Sequence, residues 1–191
     1  MKHIGLLGGS FDPPHRGHIY ISLESKKILS FDEIWWLVTP QNPLKISKPA
    51  TYSERINNCK KITKVHPIKI KEIEKKINSK YTYQTLKYLQ NHYSNIKFYW
   101  LMGSDNLINF HKWQKWRNIF NKISIVIFKR HNYNNMALKS IASKTFLHSQ
   151  IKSPKIKRIY FNTLPSWAWI NNKEINISST EIKQQRKLLR S

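Results

Sequence analysis

Six short apolar runs, at residues 3–7, 33–39, 68–71, 97–102, 123–128 and 158–161, recur between longer amphipathic stretches. They are rich in Ile, Val and aromatic residues and end at turn formers, which reads as strands. The runs WWLV and ISIVIF lack polar alternation. A strand reads that way when helices cover both faces of its sheet. Helices are expected from about residue 17 to 29, from Thr51, from Thr82, and from Ser178 to about residue 189. Thr51 and Ser178 are each followed three residues later by Glu54 and Glu181, the spacing of a capping box. Strands and helices alternating at these lengths predict an α/β fold built on a Rossmann-like, doubly wound parallel sheet.

No repeat, low-complexity tract or composition break interrupts the pattern. The 191 residues, 40% of them hydrophobic, suit one core. Residues 1–191 therefore read as a single domain closing on the helix from about residue 178. Residues 132–153, rich in Asn and Ser, look least ordered, with helical character around 136–142.

The charge balance is one-sided, 34 Lys and Arg against 10 Asp and Glu, a net +24. An anionic partner and a merely basic surface are both open readings. Because the charges are spread along the chain, a nucleic acid is not expected as the specific partner. The single cysteine, Cys59, excludes an intramolecular disulfide and suits a reducing compartment. It lies in a Lys- and Asn-rich stretch with no activating histidine, so it reads as structural. No run approaches the roughly 18 apolar residues of a membrane span, and the N-terminal apolar run is too short for a signal peptide. A cytoplasmic protein is expected; whether it forms a homo-oligomer stays open.

The chemistry concentrates in GGSFDPPHRGH, residues 8–18. It follows the first strand and enters the first helix. Gly8 and Gly9 would let backbone approach a ligand, and Gly17, between His15 and His18, would leave room for one. Those histidines are three apart, so one helical turn points both imidazoles the same way. Two such donors at a helix N-terminus suit an anion, which the exposed N–H groups and the helix dipole also favour. A zinc site would need further ligands at sensible spacing, which are missing. Neither a P-loop nor a G-x-G-x-x-G dinucleotide loop is present.

Residues 8–18 resemble the signature of the HIGH-motif nucleotidyltransferases, with HRGH as the HxGH element. Near the other end, ISSTEIK at 177–183 is similar to that superfamily's second signature, an ISST-type helix start; alone, Ser-x-x-Glu caps many helices. Three further segments, TPQNPLK at 39–45, YTYQTL at 81–86 and GSDNL at 103–107 with Trp113 and Trp116 beyond, resemble the nicotinate-nucleotide adenylyltransferase family. They sit at strand C-termini or helix starts, where open α/β sheets bind ligands.

The resemblance implies transfer of AMP from ATP to nicotinate mononucleotide, with pyrophosphate released. His15 and His18 would be the catalytic pair, His18 nearest the α-phosphate. Gly8, Gly9, Ser10, Phe11 and Gly103 would lie along ATP. Ser179, Thr180 and Lys183 would grip its outer phosphates, with Lys45 as a mobile cation. Asp105 would accept from a ribose hydroxyl or else cap its helix. On the mononucleotide side, N–H groups at Tyr81, Thr82 and Tyr83 would receive the ring carboxylate. Trp113 would stack on the ring or else belong to the core, and Arg130 would hold the phosphate. Magnesium (Mg2+) would arrive with ATP, since no acidic cluster would hold it alone. Three positions depart from the family pattern. Lys183 stands where Arg is usual, Leu44 where many members have His, and Arg130-His131-Asn132 where Arg-Pro-Gly is frequent.

Overall fold

The computed structural model describes residues 1–44, 48–153, 156–173 and 177–188. Among them, strands β1 (Lys2–Gly9), β2 (Glu33–Val38), β3 (Ile68–Lys71), β4 (Ile96–Gly103), β5 (Ser124–Phe128), β6 (Gln150–Ile151) and β7 (Trp167–Ile170) form one sheet. Its order is β3-β2-β1-β4-β5-β7-β6, and the strand pairings are parallel. The doubly wound expectation is met.

Helices α1 (Arg16–Leu29) and α2 (Tyr52–Thr63) lie in the chain around β2. The other helices are α3 (Ile73–Lys76), α4 (Thr82–His92), α5 (Ser104–Ile108), α6 (Trp116–Lys122), α7 (Asn134–Leu138), α8 (Ile141–Thr145) and α9 (Ser179–Leu188). Alternate residues of each central strand enter opposite cores. Trp36 and Leu101 join Ile19 of α1 and Ile56 of α2 on one face. Trp35, Trp100 and Met102 join Ile73, Leu86, Leu107, Ile119 and Ala142 of α3 to α8 on the other. That explains the continuous apolar runs: both faces are covered.

Thr51 caps α2 by accepting from Glu54 N–H. Ser178 and Glu181 cap α9 reciprocally, with Ser178 N–H donating to Glu181 Oε2 at 2.8 Å and Glu181 N–H to Ser178 Oγ at 3.2 Å. Residues 132–153 form α7, α8, a 3-10 turn and β6, with Ser140 capping α8.

One expected strand is absent. Arg158–Tyr160 is a 3-10 turn followed by Phe161, which is buried and meets Tyr99 edge-on at 5.7 Å. A single anchoring aromatic, with Ile159 72% exposed, gives no face for a sheet to bury. The strand paired with β5 is instead β7, which begins at Trp167.

Parallel connections place β1 and β4 side by side although the chain winds outward from them in opposite directions. The crevice beyond their C-terminal ends, at Gly8–Gly9 and Gly103, is the topological switch point where such sheets bind ligands.

Candidate active site

His15 is the N-cap of α1. Its Nδ1 accepts from Gly17 N–H at 3.1 Å, while His18 Nδ1 accepts from His15 N–H at 3.2 Å. Because both Nδ1 atoms act as acceptors, each neutral ring carries its hydrogen on Nε2 and can donate from there. The rings lie 3.8 Å apart at 35°. Burial, aided by the Arg130 charge and opposed by Glu181, lowers the His15 pKa to about 4. His15 is therefore a neutral hydrogen-bond donor at pH 7, not a cation.

Gly17 has a different purpose from the one expected. A Cβ there would lie 3.0 Å from His15 Cε1 and 3.1 Å from Ile177 Cγ2, so the space is filled by protein. His15 and Ile177 meet across it, which brings the two remote signatures together. Ser179 Oγ donates to Pro13 O at 2.9 Å, and Lys183 pairs with Asp12.

Two adjoining cavities open at the switch point. One, of about 290 Å³, is lined by Gly8, Gly9, Thr39, Asn42, Leu44, Glu74, Tyr81, Thr82, Trp100, Asn106 and Trp113, among others. The second, of about 170 Å³, is lined by Ser10, Asp12, Asn42, Ser179, Thr180 and Lys183, among others. Asn42 lines both.

Trp113 packs against the core and also borders the larger cavity. It stacks on core residue Phe110 at 4.6 Å and meets Trp100 edge-on. Tyr81 and Thr82 line that cavity where α4 begins, and no side chain caps this helix start. The Tyr83 ring instead packs against the core under Lys115 and Lys122.

The Phe11 side chain packs into the protein. It is buried, stacks on Trp36 at 4.5 Å and contacts His18 at 4.8 Å. Its φ of 47° turns the loop. Gly8 is needed by the protein, since a Cβ there would lie 2.5 Å from Trp100 Cη2; Gly9 would make ordinary contact with Phe11 at 3.5 Å.

Arg130, expected to hold the mononucleotide phosphate, is not among the residues lining the larger cavity. Its Nη1 lies 3.6 Å from Asp105 Oδ2, and its Nη2 donates to Ile177 O. Asp105 Oδ1 is buried without a partner, and Asp105 makes no helix cap. A Cβ on Gly103 would strike Asp105 and lie 2.5 Å from Arg130 Cδ. The loop after β5 is fixed by Arg130 N–H donating to Ser104 Oγ at 3.0 Å and to Asn134 Oδ1 at 3.1 Å. Asn132 takes φ 66° where the family's Gly is frequent; Asn is among the side chains that tolerate this region. Lys45 lies outside the described residues.

Two contributors escaped the sequence reading. Arg55, 1% exposed, donates to the carbonyls of Ser10, Thr39, Pro40 and Ala50 at 2.7 to 3.0 Å. It fastens the loop after β2 to the glycine loop. Glu74, 4% exposed, lines the larger cavity. Cys59 is buried, and burial pushes its thiol up to about 12, as its structural reading requires.

The cytidylyltransferase-like family matches residues 6–185. A Ruegeria sp. (strain TM1040) protein named as a probable nicotinate-nucleotide adenylyltransferase is 38% identical over 95% of this chain and 96% of its own. A Bradyrhizobium sp. (strain ORS 278) protein of the same name is 36% identical over 94% of each. The fold is similar to that of Plasmodium falciparum nicotinic acid mononucleotide adenylyltransferase complexed with NaAD, with TM-score 0.71 and 21% identity, covering 96% of this chain and 83% of that one. The cytidylyltransferase-like match over nearly the whole chain and the close full-length relatives place this chain in the nicotinate-nucleotide adenylyltransferase family.

Proposed function

We propose that this chain transfers the AMP part of ATP to nicotinate mononucleotide, giving nicotinate adenine dinucleotide and pyrophosphate, a step in NAD biosynthesis. The observation that carries this reading is the adjacency of an aromatic cavity at an uncapped helix start to a polar cleft between residues 8–18 and the start of α9. The first suits a carboxylated ring and the second a triphosphate.

A phosphate oxygen of the mononucleotide attacks the α-phosphorus of ATP. One O–P bond forms there while the bond from that phosphorus to the pyrophosphate oxygen breaks. The nucleophile is already ionised, so the site works by positioning and by stabilising charge. His15 and His18 offer Nε2–H donors to the α-phosphate. Ser179, Thr180 and Lys183, with the N-terminus of α9, take the outer phosphates. Ser10 borders that cleft, with the backbone of Phe11 beside it. Arg130, held between Asp105 and Ile177, would take the mononucleotide phosphate. Gly8, Gly9, Gly103 and Asp105 border the ribose region. Tyr81, Thr82 and the Tyr83 N–H receive the ring carboxylate, and Trp113 stacks on the ring. Lys45 is proposed as a phosphate cation on the loop after β2.

Among the described residues no three metal-ligating side chains gather. Magnesium would be carried by ATP oxygens, where it would neutralise phosphate charge. Among the described residues no helix is long and apolar enough to cross a membrane. The buried lone thiol and the nucleotide substrates favour a cytoplasmic enzyme.

Pyrophosphate release from ATP with nicotinate, nicotinamide or phosphopantetheine acceptors tests the assignment. Fastest release with nicotinate mononucleotide is expected, and no release with any acceptor would overturn it.

A further inference from the structure

Glu74 is the one carboxyl lining the larger cavity among the described residues. Its Oε1 lies 3.4 Å from Thr85 Oγ1, while its Oε2 is buried with no hydrogen-bond partner. The first turn of α4 carries no acid and no side-chain cap, and Tyr81 and Thr82 of that helix start line the same cavity. Glu74 therefore sits at a positive helix end that a ligand carboxylate would also seek. Two carboxylates sharing one such site do not both stay ionised, because like charges in a dry pocket each raise the cost of the other.

We propose that Glu74 is a specificity-determining residue that, in its neutral form, donates from Oε2–H to the ring carboxylate of nicotinate mononucleotide. This rests on the function proposed above. The proton comes from solvent as the mononucleotide binds and returns to solvent when product leaves. Nicotinamide mononucleotide, whose carboxamide is neutral and brings its own N–H donors, is accepted by ionised Glu74 with no such uptake.

The surroundings support this. Burial raises the Glu74 carboxyl above its ordinary range, against hydrogen bonds from Thr39 and Thr85. From α2 the Tyr52 phenol is held protonated by burial, with the Glu72 and Glu74 charges adding to this, and its hydroxyl donates to Val38 O. Lys80 and Lys112 line the same cavity, and β4 contributes the Trp100 indole, whose N–H is also buried and unpartnered. Among the described residues no cation pairs with Glu74.

Calorimetric titration of the enzyme with each mononucleotide, in buffers of different ionisation enthalpy, reads proton uptake. The phosphate is common to both ligands, so the difference between them reports the ring end alone. Greater uptake with nicotinate mononucleotide is expected, and the difference should vanish in Glu74→Gln, whose amide donates without titrating. The ratio of kcat/KM for nicotinate over nicotinamide substrate should fall as pH rises through the Glu74 titration in the native enzyme and stay flat in the variant. Equal uptake of protons with the two ligands, or a difference that survives in Glu74→Gln, would overturn the inference. Those outcomes leave pyrophosphate release intact, whereas failure of the enzymatic reading abolishes release with every acceptor.

Discussion

Ser179 Oγ and the Pro13 carbonyl, 166 residues apart in sequence, are joined by a 2.9 Å hydrogen bond. That bond sets the distance between the start of α9 and the histidine loop, and hence the width of the phosphate cleft. Ser179→Ala should lower stability by about 1 kcal/mol and raise the KM for ATP. Steady-state kinetics with thermal unfolding checks both; an unaltered KM for ATP would remove Ser179 from the phosphate site.

His18 touches the buried Phe11 and Trp36 rings at 4.8 and 5.8 Å, and its Nε2–H is the donor proposed for the α-phosphate. Losing one aligned donor to a transferring group typically lowers kcat about 10²- to 10³-fold. His18→Ala should show a loss of that order with a near-native circular dichroism spectrum. Near-normal turnover would contradict the assignment.

His15 gives a pH prediction. Its pKa in the fold is about 4, below the ordinary 6.5, so between those values the unfolded chain binds more protons than the folded one. Stability then rises with pH across that window and is lost as pH falls from 6.5 towards 4. The Tm of the native enzyme should drop more steeply over that range than the Tm of His15→Gln. Parallel curves would show that His15 is not held neutral.

Much of this was legible in the sequence, and the gaps have physical causes. Strands buried on both faces announce themselves as WWLV or ISIVIF, and capping boxes announce α2 and α9. The paired histidines and the ISST start announce the N-termini of α1 and α9 because their chemistry is local. Glu74 was hidden because it lies in EIEKK, which reads as a solvated face; only the tertiary placement of α4 buries it. Arg55 follows Glu54 on a polar helix and gave no hint that four carbonyls converge on it. Gly17 was read as leaving room for a ligand, and Phe11 and Gly8 as lying along one, with no hint that all three also pack on protein. Their neighbours Trp36, Trp100 and Ile177 come from distant segments that no local pattern reveals.

Gly8 and Gly9 separate two roles that the sequence treats alike. A methyl group at Gly8 would overlap the Trp100 ring, whereas at Gly9 it would sit at normal contact distance. Gly8→Ala should destabilise by about 1–3 kcal/mol, as overpacking does, and raise the KM for the mononucleotide by moving Trp100 in the cavity wall. Gly9→Ala should change Tm little. Comparable Tm values for the two variants would show that Trp100 yields freely.

Lys183 stands where the family usually has Arg, and it pairs with Asp12, whose carboxylate also accepts from Ala50 N–H at 3.4 Å. An ammonium is a compact charge that serves one acceptor well, so a triphosphate must compete with Asp12 for it. A guanidinium offers a planar fork of donors and can bridge a carboxylate and a phosphate together. Lys183→Arg should therefore lower the KM for ATP, with little change in kcat if the α-phosphate is held by the histidines. Lys183→Ala should raise that KM and leave Asp12 as an uncompensated negative charge facing the phosphates. Asp12→Asn, made together with Lys183→Ala, should then recover part of the loss. Recovery measured in ATP titrations would establish that the two side chains act as a pair at the phosphate cleft, and strictly additive losses would rule that coupling out.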